Sequence, residues 1–139
     1  MKYSKSLPIE ALNNYNKALS FLPEKVKKGE SNLLPLLLAN RSLVLHQLGH
    51  HKPALLDIRR SLEAGYPERS VYKLYTRQAS IFSSLGQREV VERCLERARD
   101  KASLLEEGER EVAERIIRDK AGEMTGADRR VEQTVIISR

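Results

Sequence analysis

Tryptophan is absent from this chain of 139 residues, phenylalanine occurs twice, and aromatic residues fill only 5% of positions. That scarcity argues against β-sandwich architectures. Cysteine occurs once, as Cys94, so no internal disulfide can form and a disulfide scaffold is excluded. Seven glycines and five prolines are too few for collagen-like or low-complexity organisation. No apolar run opens the chain, because Met1 is followed by Lys2, Tyr3 and Ser4, and a secretory leader is not expected. The densest apolar stretch, Leu33 to Leu48, is interrupted by Asn40, Arg41, Ser42 and His46, which leaves it too short and too polar to span a bilayer. These absences point to a cytoplasmic or nuclear protein with no membrane partner, and the length allows one domain.

Charge is what the chain has in quantity. Asp, Glu, Lys and Arg make up 32% of residues and the formal net charge is +6. Residues 1–105 carry 18 Lys and Arg against 10 Asp and Glu, whereas residues 106–139 carry 7 against 9. The basic character is therefore confined to the first three quarters, which suits an acidic partner.

Self-similarity is visible at a spacing that decides architecture. The segments from Ala39-Asn40-Arg41-Ser42 to Leu48-Gly49 and from Arg77-Gln78-Ala79-Ser80 to Leu85-Gly86 align, and each closes in Leu-Gly. A second amphipathic stretch follows each Gly, Pro53 to Leu62 and then Glu89 to Ala102, so the unit is helix, turn, helix. A truncated copy opens the chain, with Ala11, Tyr15, Ala18 and Pro23 at the spacing of a second repeat helix followed by proline. On these residues the chain resembles the tetratricopeptide repeat (TPR) family over about residues 1–102. The resemblance implies an all-α fold: a right-handed, TPR-like α-solenoid of helical hairpins with a half repeat at 1–23 and repeats at 32–67 and 68–102. Ser42 and Val91 depart from the small residues usual at their positions. The repeat spacing is also longer than usual, with turns at Glu24 to Asn32 and Gly65-Tyr66-Pro67-Glu68 accounting for the excess.

The strings Ala39-Asn40-Arg41-Ser42, Leu48-Gly49, Asp57-Ile58 and Gly65-Tyr66-Pro67-Glu68, followed by Lys73 and Arg77, are similar to the N-terminal repeat region of one branch of the SET and MYND domain lysine methyltransferases. The catalytic half of that family has no counterpart here. One cysteine cannot supply a MYND zinc cluster, and no Asn-His-x-Cys run for the methyl donor is present.

Beyond residue 105 the pattern changes. Val112, Ile116 and Ile117 give a narrow apolar stripe on a charged segment, which predicts a capping helix over 106–124 with a solvated outer face. The end of the chain, with Val135, Ile136 and Ile137 in a row, is β-prone and reads as a tail over 125–139 or the start of an absent domain.

Helical spacing places Lys73, Arg77, Ser80 and Ser84 on one polar stripe, with Leu74, Ile81, Phe82 and Leu85 on the apolar side. Asn40 occupies the position of Arg77 one repeat earlier, each nine residues before its Gly. Asn40, Lys73, Arg77, Ser80 and Ser84 are therefore the candidate peptide-binding residues. The set resembles the carboxylate clamp of TPR co-chaperones, which implies a protein or peptide partner with an acidic C-terminus, of the heat-shock chaperone kind. Charged donors are what a terminal pair of carboxylates needs. An ordinary solvated basic helix face is the competing reading of the same residues.

The remaining candidates have plainer readings. Arg41 and Asp57 lie on the two helices of one repeat and are expected to form a structural ion pair. His46 and His50 have the i, i+4 spacing of a metal pair, but Gly49 interrupts the helix and no third ligand is evident, so no metal and no cofactor are expected. Cys94 falls among Val90, Val91 and Leu95 and reads as a small buried side chain. No phosphate loop, nucleophile elbow or paired-carboxylate motif is present, so no catalytic residue is assigned and the chain is not expected to be an enzyme by itself. Three functions follow: a module for an extended acidic peptide, a regulatory region of a lysine methyltransferase, and nucleic-acid binding. The last rests on charge alone, because the tyrosines are not interleaved with basic residues.

Overall fold

The computed structural model describes residues 6–27 and 31–137, with side chains for 7–27 and 31–125. The fold is all-α. The principal helices are α1 (Ser6–Ser20), α2 (Leu33–Gln47), α3 (His51–Glu63), α4 (Val71–Ser84), α5 (Arg88–Ala102) and α6 (Glu107–Ile137), with a 3₁₀ turn at Glu68–Ser70 before α4.

Helices α2 and α3 form one antiparallel hairpin and α4 and α5 a second, while α1 packs on α2 and α6 packs on both α4 and α5. The turns explain the hairpins. Gly49, Gly65 and Gly86, each just past a helix, have φ of 83°, 91° and 75°. The Gly86 N–H bonds to the Ser83 carbonyl at 3.0 Å and the Gln87 N–H to that of Phe82 at 2.9 Å, the paired bonds of a Schellman motif. Gly49 with His50 and Gly65 with Tyr66 repeat that pairing. A methyl group at position 86 would meet no atom within 4 Å, so the only penalty for replacing this glycine is its left-handed backbone. Gly86→Ala is expected to cost about 1 kcal/mol in urea unfolding; an unchanged midpoint would show that the turn does not need the left-handed residue.

Two adjoining clusters make the core. The first joins Ala39 and Leu45 of α2, Ala54 and Ile58 of α3, and Leu74 and Ile81 of α4, with Leu12 of α1 packed against it. The second joins Tyr72 and Ala79 of α4, four residues of α5 (Cys94, Leu95, Ala98 and Ala102), and Ala113 and Ile117 of α6. Small residues, Ala and Cys, are five of the eight in the second cluster, where helices can pack closely because the side chains are short. Helix α4 contributes to both clusters, Leu74 and Ile81 to one and Tyr72 and Ala79 to the other, and so couples the hairpins.

Polar groups within the core are satisfied locally. Ser42 Oγ donates to the Ala39 carbonyl at 2.6 Å, Thr76 Oγ1 to that of Tyr72 at 2.7 Å, and Ser61 Oγ crosses from α3 to the Pro35 carbonyl of α2 at 2.7 Å. Arg41 grips Asp57 with both ends of its fork, Nε to Oδ2 at 2.7 Å and Nη2 to Oδ1 at 2.8 Å, and its Nη1 reaches Asn16 Oδ1 on α1 at 3.0 Å. The ion pair expected between the two helices of one hairpin is present, and it also fastens α1. The hydrogen bonds that Arg41 donates to Asp57 hold its guanidinium above its usual pKa, against the opposing effect of burial.

Helix α6 differs from its sequence expectation in two ways. Among the described residues of α6, Ala113 and Ile117 are buried and Val112 is exposed, so the packed stripe is set one residue round from Val112. The backbone also stays helical to Ile137, where a β-prone stretch was expected over Val131 to Ile137. Three β-branched residues disfavour a helix by only a few tenths of a kcal/mol each, too little to end one that is already propagating.

Candidate functional site

Helix α4 presents Lys73, Thr76, Arg77 and Ser80 on one face, with the buried Leu74 and Ile81 at its flank. Helix α2 stands beside this face with Leu43 and His46, and α6 closes the third side with Ile116 and Lys120. The three helices enclose a cavity of about 330 Å³. No Asp or Glu lines it. Lys73 also lines a second cavity of about 500 Å³ nearer the start of α6, where the ion-paired Arg69 and Glu109 stand with Tyr72 and Val112 among its walls. Lys73 stands at the border of the two, and the groove is the first of them, between α4 and α6 beside α2.

Arg77 is the most constrained cation of the groove. Its Nη1 donates to the Ala39 carbonyl at 2.8 Å and to Ser42 Oγ at 3.2 Å, which anchors α4 against α2. Burial pulls its pKa below the usual guanidinium value, and no carboxylate forms an ion pair with it among the described residues. Lys73 is exposed at the rim. Lys120, also exposed, has among the described residues a long 3.5 Å contact to Glu123, which as a solvated pair contributes little.

Of the five residues proposed from the sequence, Lys73, Arg77 and Ser80 line this cavity together. Ser84 lies one turn further along α4, exposed, with its hydroxyl on the Ser80 carbonyl at 3.2 Å. Asn40 is exposed on α2, one turn before Leu43, and does not line the cavity. Equivalence within a repeat does not bring Asn40 and Arg77 together, because equivalent positions are one hairpin apart along the stack. Sequence reasoning missed Lys120, His46 and Thr76. Lys120 had a signal in its i, i+4 relation to Ile116, but that segment of α6 was read as a solvated face.

The other candidates resolve simply. His46 Nδ1 lies 3.1 Å from Nδ1 of His51, not His50, because Gly49 turns the chain and His50 becomes the exposed N-cap of α3. No group of three metal-ligating side chains occurs among the described residues. Cys94 is buried with Sγ 3.9 Å from Gln78 Oε1, and burial raises its thiol pKa, the reverse of what a nucleophile needs. No helix of the described residues is long and apolar enough to cross a membrane.

Fold and site together define an all-α stack of helical hairpins with a cationic groove between α4 and the last helix. Against known proteins, a 56-residue stretch comprising 40% of the chain is 48% identical to "Protein-lysine N-methyltransferase SMYD4" of Danio rerio. The matched stretch spans 7% of that protein's length. No protein-family model matches the chain, and no solved structure does.

Proposed function

We propose that this chain is a protein-interaction module of the tetratricopeptide kind, whose groove between α4 and α6 holds an extended acidic peptide, with a free C-terminal carboxylate preferred. The observation that carries this reading is Arg77, a half-buried cation without a carboxylate partner among the described residues, flanked by Lys73 and Lys120 in a cavity that no acid lines. A desolvated charge of this kind is costly by itself, and an arriving carboxylate offsets the cost. Leu43 and Ile116 add apolar wall, so a peptide alternating acidic and apolar side chains fits better than a purely acidic one.

Lys73→Ala is expected to weaken such a peptide about tenfold, roughly 1.4 kcal/mol, without changing stability. Fluorescence anisotropy with a short labelled peptide ending in two acidic residues measures this. Unchanged affinity in Lys73→Ala, or no binding to the parent chain, sinks the reading. Equal affinity for the amidated peptide removes the terminal carboxylate from it.

The identity to the Danio rerio methyltransferase favours a second, compatible reading: a regulatory helical region that positions partners for a catalytic domain. Deleting the matching stretch from that relative should impair methylation of protein substrates more than that of short peptides. Equal effects on both would count against it.

A further inference from the structure

One titratable group stands in the groove among the fixed cations. His46, in the last turn of α2, lines the cavity with Lys73, Arg77 and Lys120, and its Nδ1 is 3.1 Å from Nδ1 of His51 in the first turn of α3. The ring centroids are 5.1 Å apart and the planes tilted by 53°, so this is a contact between ring nitrogens and not a stack. Such a contact requires one nitrogen to carry a hydrogen and the other to lack it. The pair can therefore be neutral or hold one extra proton, but cannot hold two. With Nδ1 occupied by His51, Nε2 is the nitrogen left for a ligand.

We propose that His46 is a further recognition residue of this groove, positioned by His51, and that it takes up a proton when an acidic peptide docks. The proposal rests on the acidic-peptide reading above and adds the regulation of that site. The charged groups facing His46 are His51 from α3, Lys73 and Arg77 from α4, and Lys120 from α6, all cationic or able to become so. In the empty groove, burial first and then the charges of His51 and Arg77 hold His46 below the usual imidazole range. It therefore stays neutral near pH 7, when a fourth positive charge would have nothing to oppose it.

A carboxylate entering the cavity reverses that balance, because an opposite charge within a few ångströms favours the imidazolium. Binding and protonation are then linked reciprocally: a ligand that draws a proton onto His46 must itself bind more tightly as pH falls. The gain falls between the pKa values of the free and peptide-bound states, the first held below the ordinary imidazole value by burial, and is flat outside that window. One proton limits it to about tenfold per pH unit. Carboxylates of the peptide remain ionised through most of this range, so the proton is not theirs.

Calorimetry of the full chain with the doubly acidic peptide, in two buffers of different ionisation enthalpy, counts the protons taken up. The expected result at about pH 6 is uptake of a substantial fraction of one proton, with affinity three- to tenfold higher than at about pH 7.5. His46→Gln should abolish the uptake and flatten the pH profile while still binding at the higher pH. His50→Gln, altering an exposed imidazole outside the cavity, should behave as the parent. Binding without proton uptake, or uptake that survives His46→Gln, overturns this proposal and leaves the acidic-peptide reading standing. No binding at either pH overturns both.

Discussion

Arg41→Ala is expected to destabilise the fold by about 4 kcal/mol, more than Asp57→Ala, although both variants delete the same ion pair. The asymmetry follows from what is left behind. Asp57, whose side chain is only 3% exposed in the intact pair, loses both hydrogen bonds to its carboxylate when Arg41 is removed. Without Asp57, Arg41 still has 21% of its side chain exposed and a contact to Asn16, so it can turn toward solvent. A cost of about 2 kcal/mol is expected for that variant. Arg41→Met combined with Asp57→Leu should recover most of the loss, since a packed apolar pair replaces two desolvated charges without stranding either. Equilibrium unfolding in urea of the three variants checks the order. Equal losses in the two single variants would show that water reaches Asp57.

Leu74→Ala is expected to cost about 3 to 4 kcal/mol. Leu74 has no exposed surface and, although it belongs to the second hairpin, it is buried in the cluster of the first. Its removal leaves a cavity at the junction, and the helices on either side are tied to their own partners and cannot both close on it. Stacked helical units are stabilised by contributions from each unit and from each interface. A variant that weakens one interface should therefore also lower the urea m-value, as the two hairpins begin to unfold separately. Leu104→Ala, at a residue 76% exposed, serves as the control and should change stability by less than about 0.5 kcal/mol. A loss under about 1 kcal/mol in Leu74→Ala would mean that the hairpins are not coupled through this residue.

The hairpins were legible because their terminators are local. Leu48-Gly49 and Leu85-Gly86 signal a helix end in any context, since a left-handed residue is needed there and glycine supplies it at little cost. The pairing of Arg41 with Asp57 was legible for a similar reason: opposite charges on the two helices of one hairpin are brought together by the turn itself. The groove was legible only on α4. Lys73, Arg77 and Ser80 share a helix, so their common face follows from periodicity. His46 and Lys120 come from α2 and α6, whose approach to α4 depends on packing that no local pattern records. Asn40 shows the converse. Its repeat position matches that of Arg77, yet Arg77 leans on α2 through the Ala39 carbonyl while Asn40 faces solvent. The run Val135-Ile136-Ile137 suggested a strand, but helical propagation outweighs the weak preference of three residues.

The three bends that end α2, α3 and α4 are made by main-chain hydrogen bonds around an achiral residue, with no side chain of the groove taking part. The angle at which one rod follows the next is thus set at the bends and owes nothing to the two lysines that decorate the hollow. Lys73 and Lys120 could be exchanged for residues of other chemistry without altering how the rods are laid, which makes the framework open to reprogramming for a different cargo.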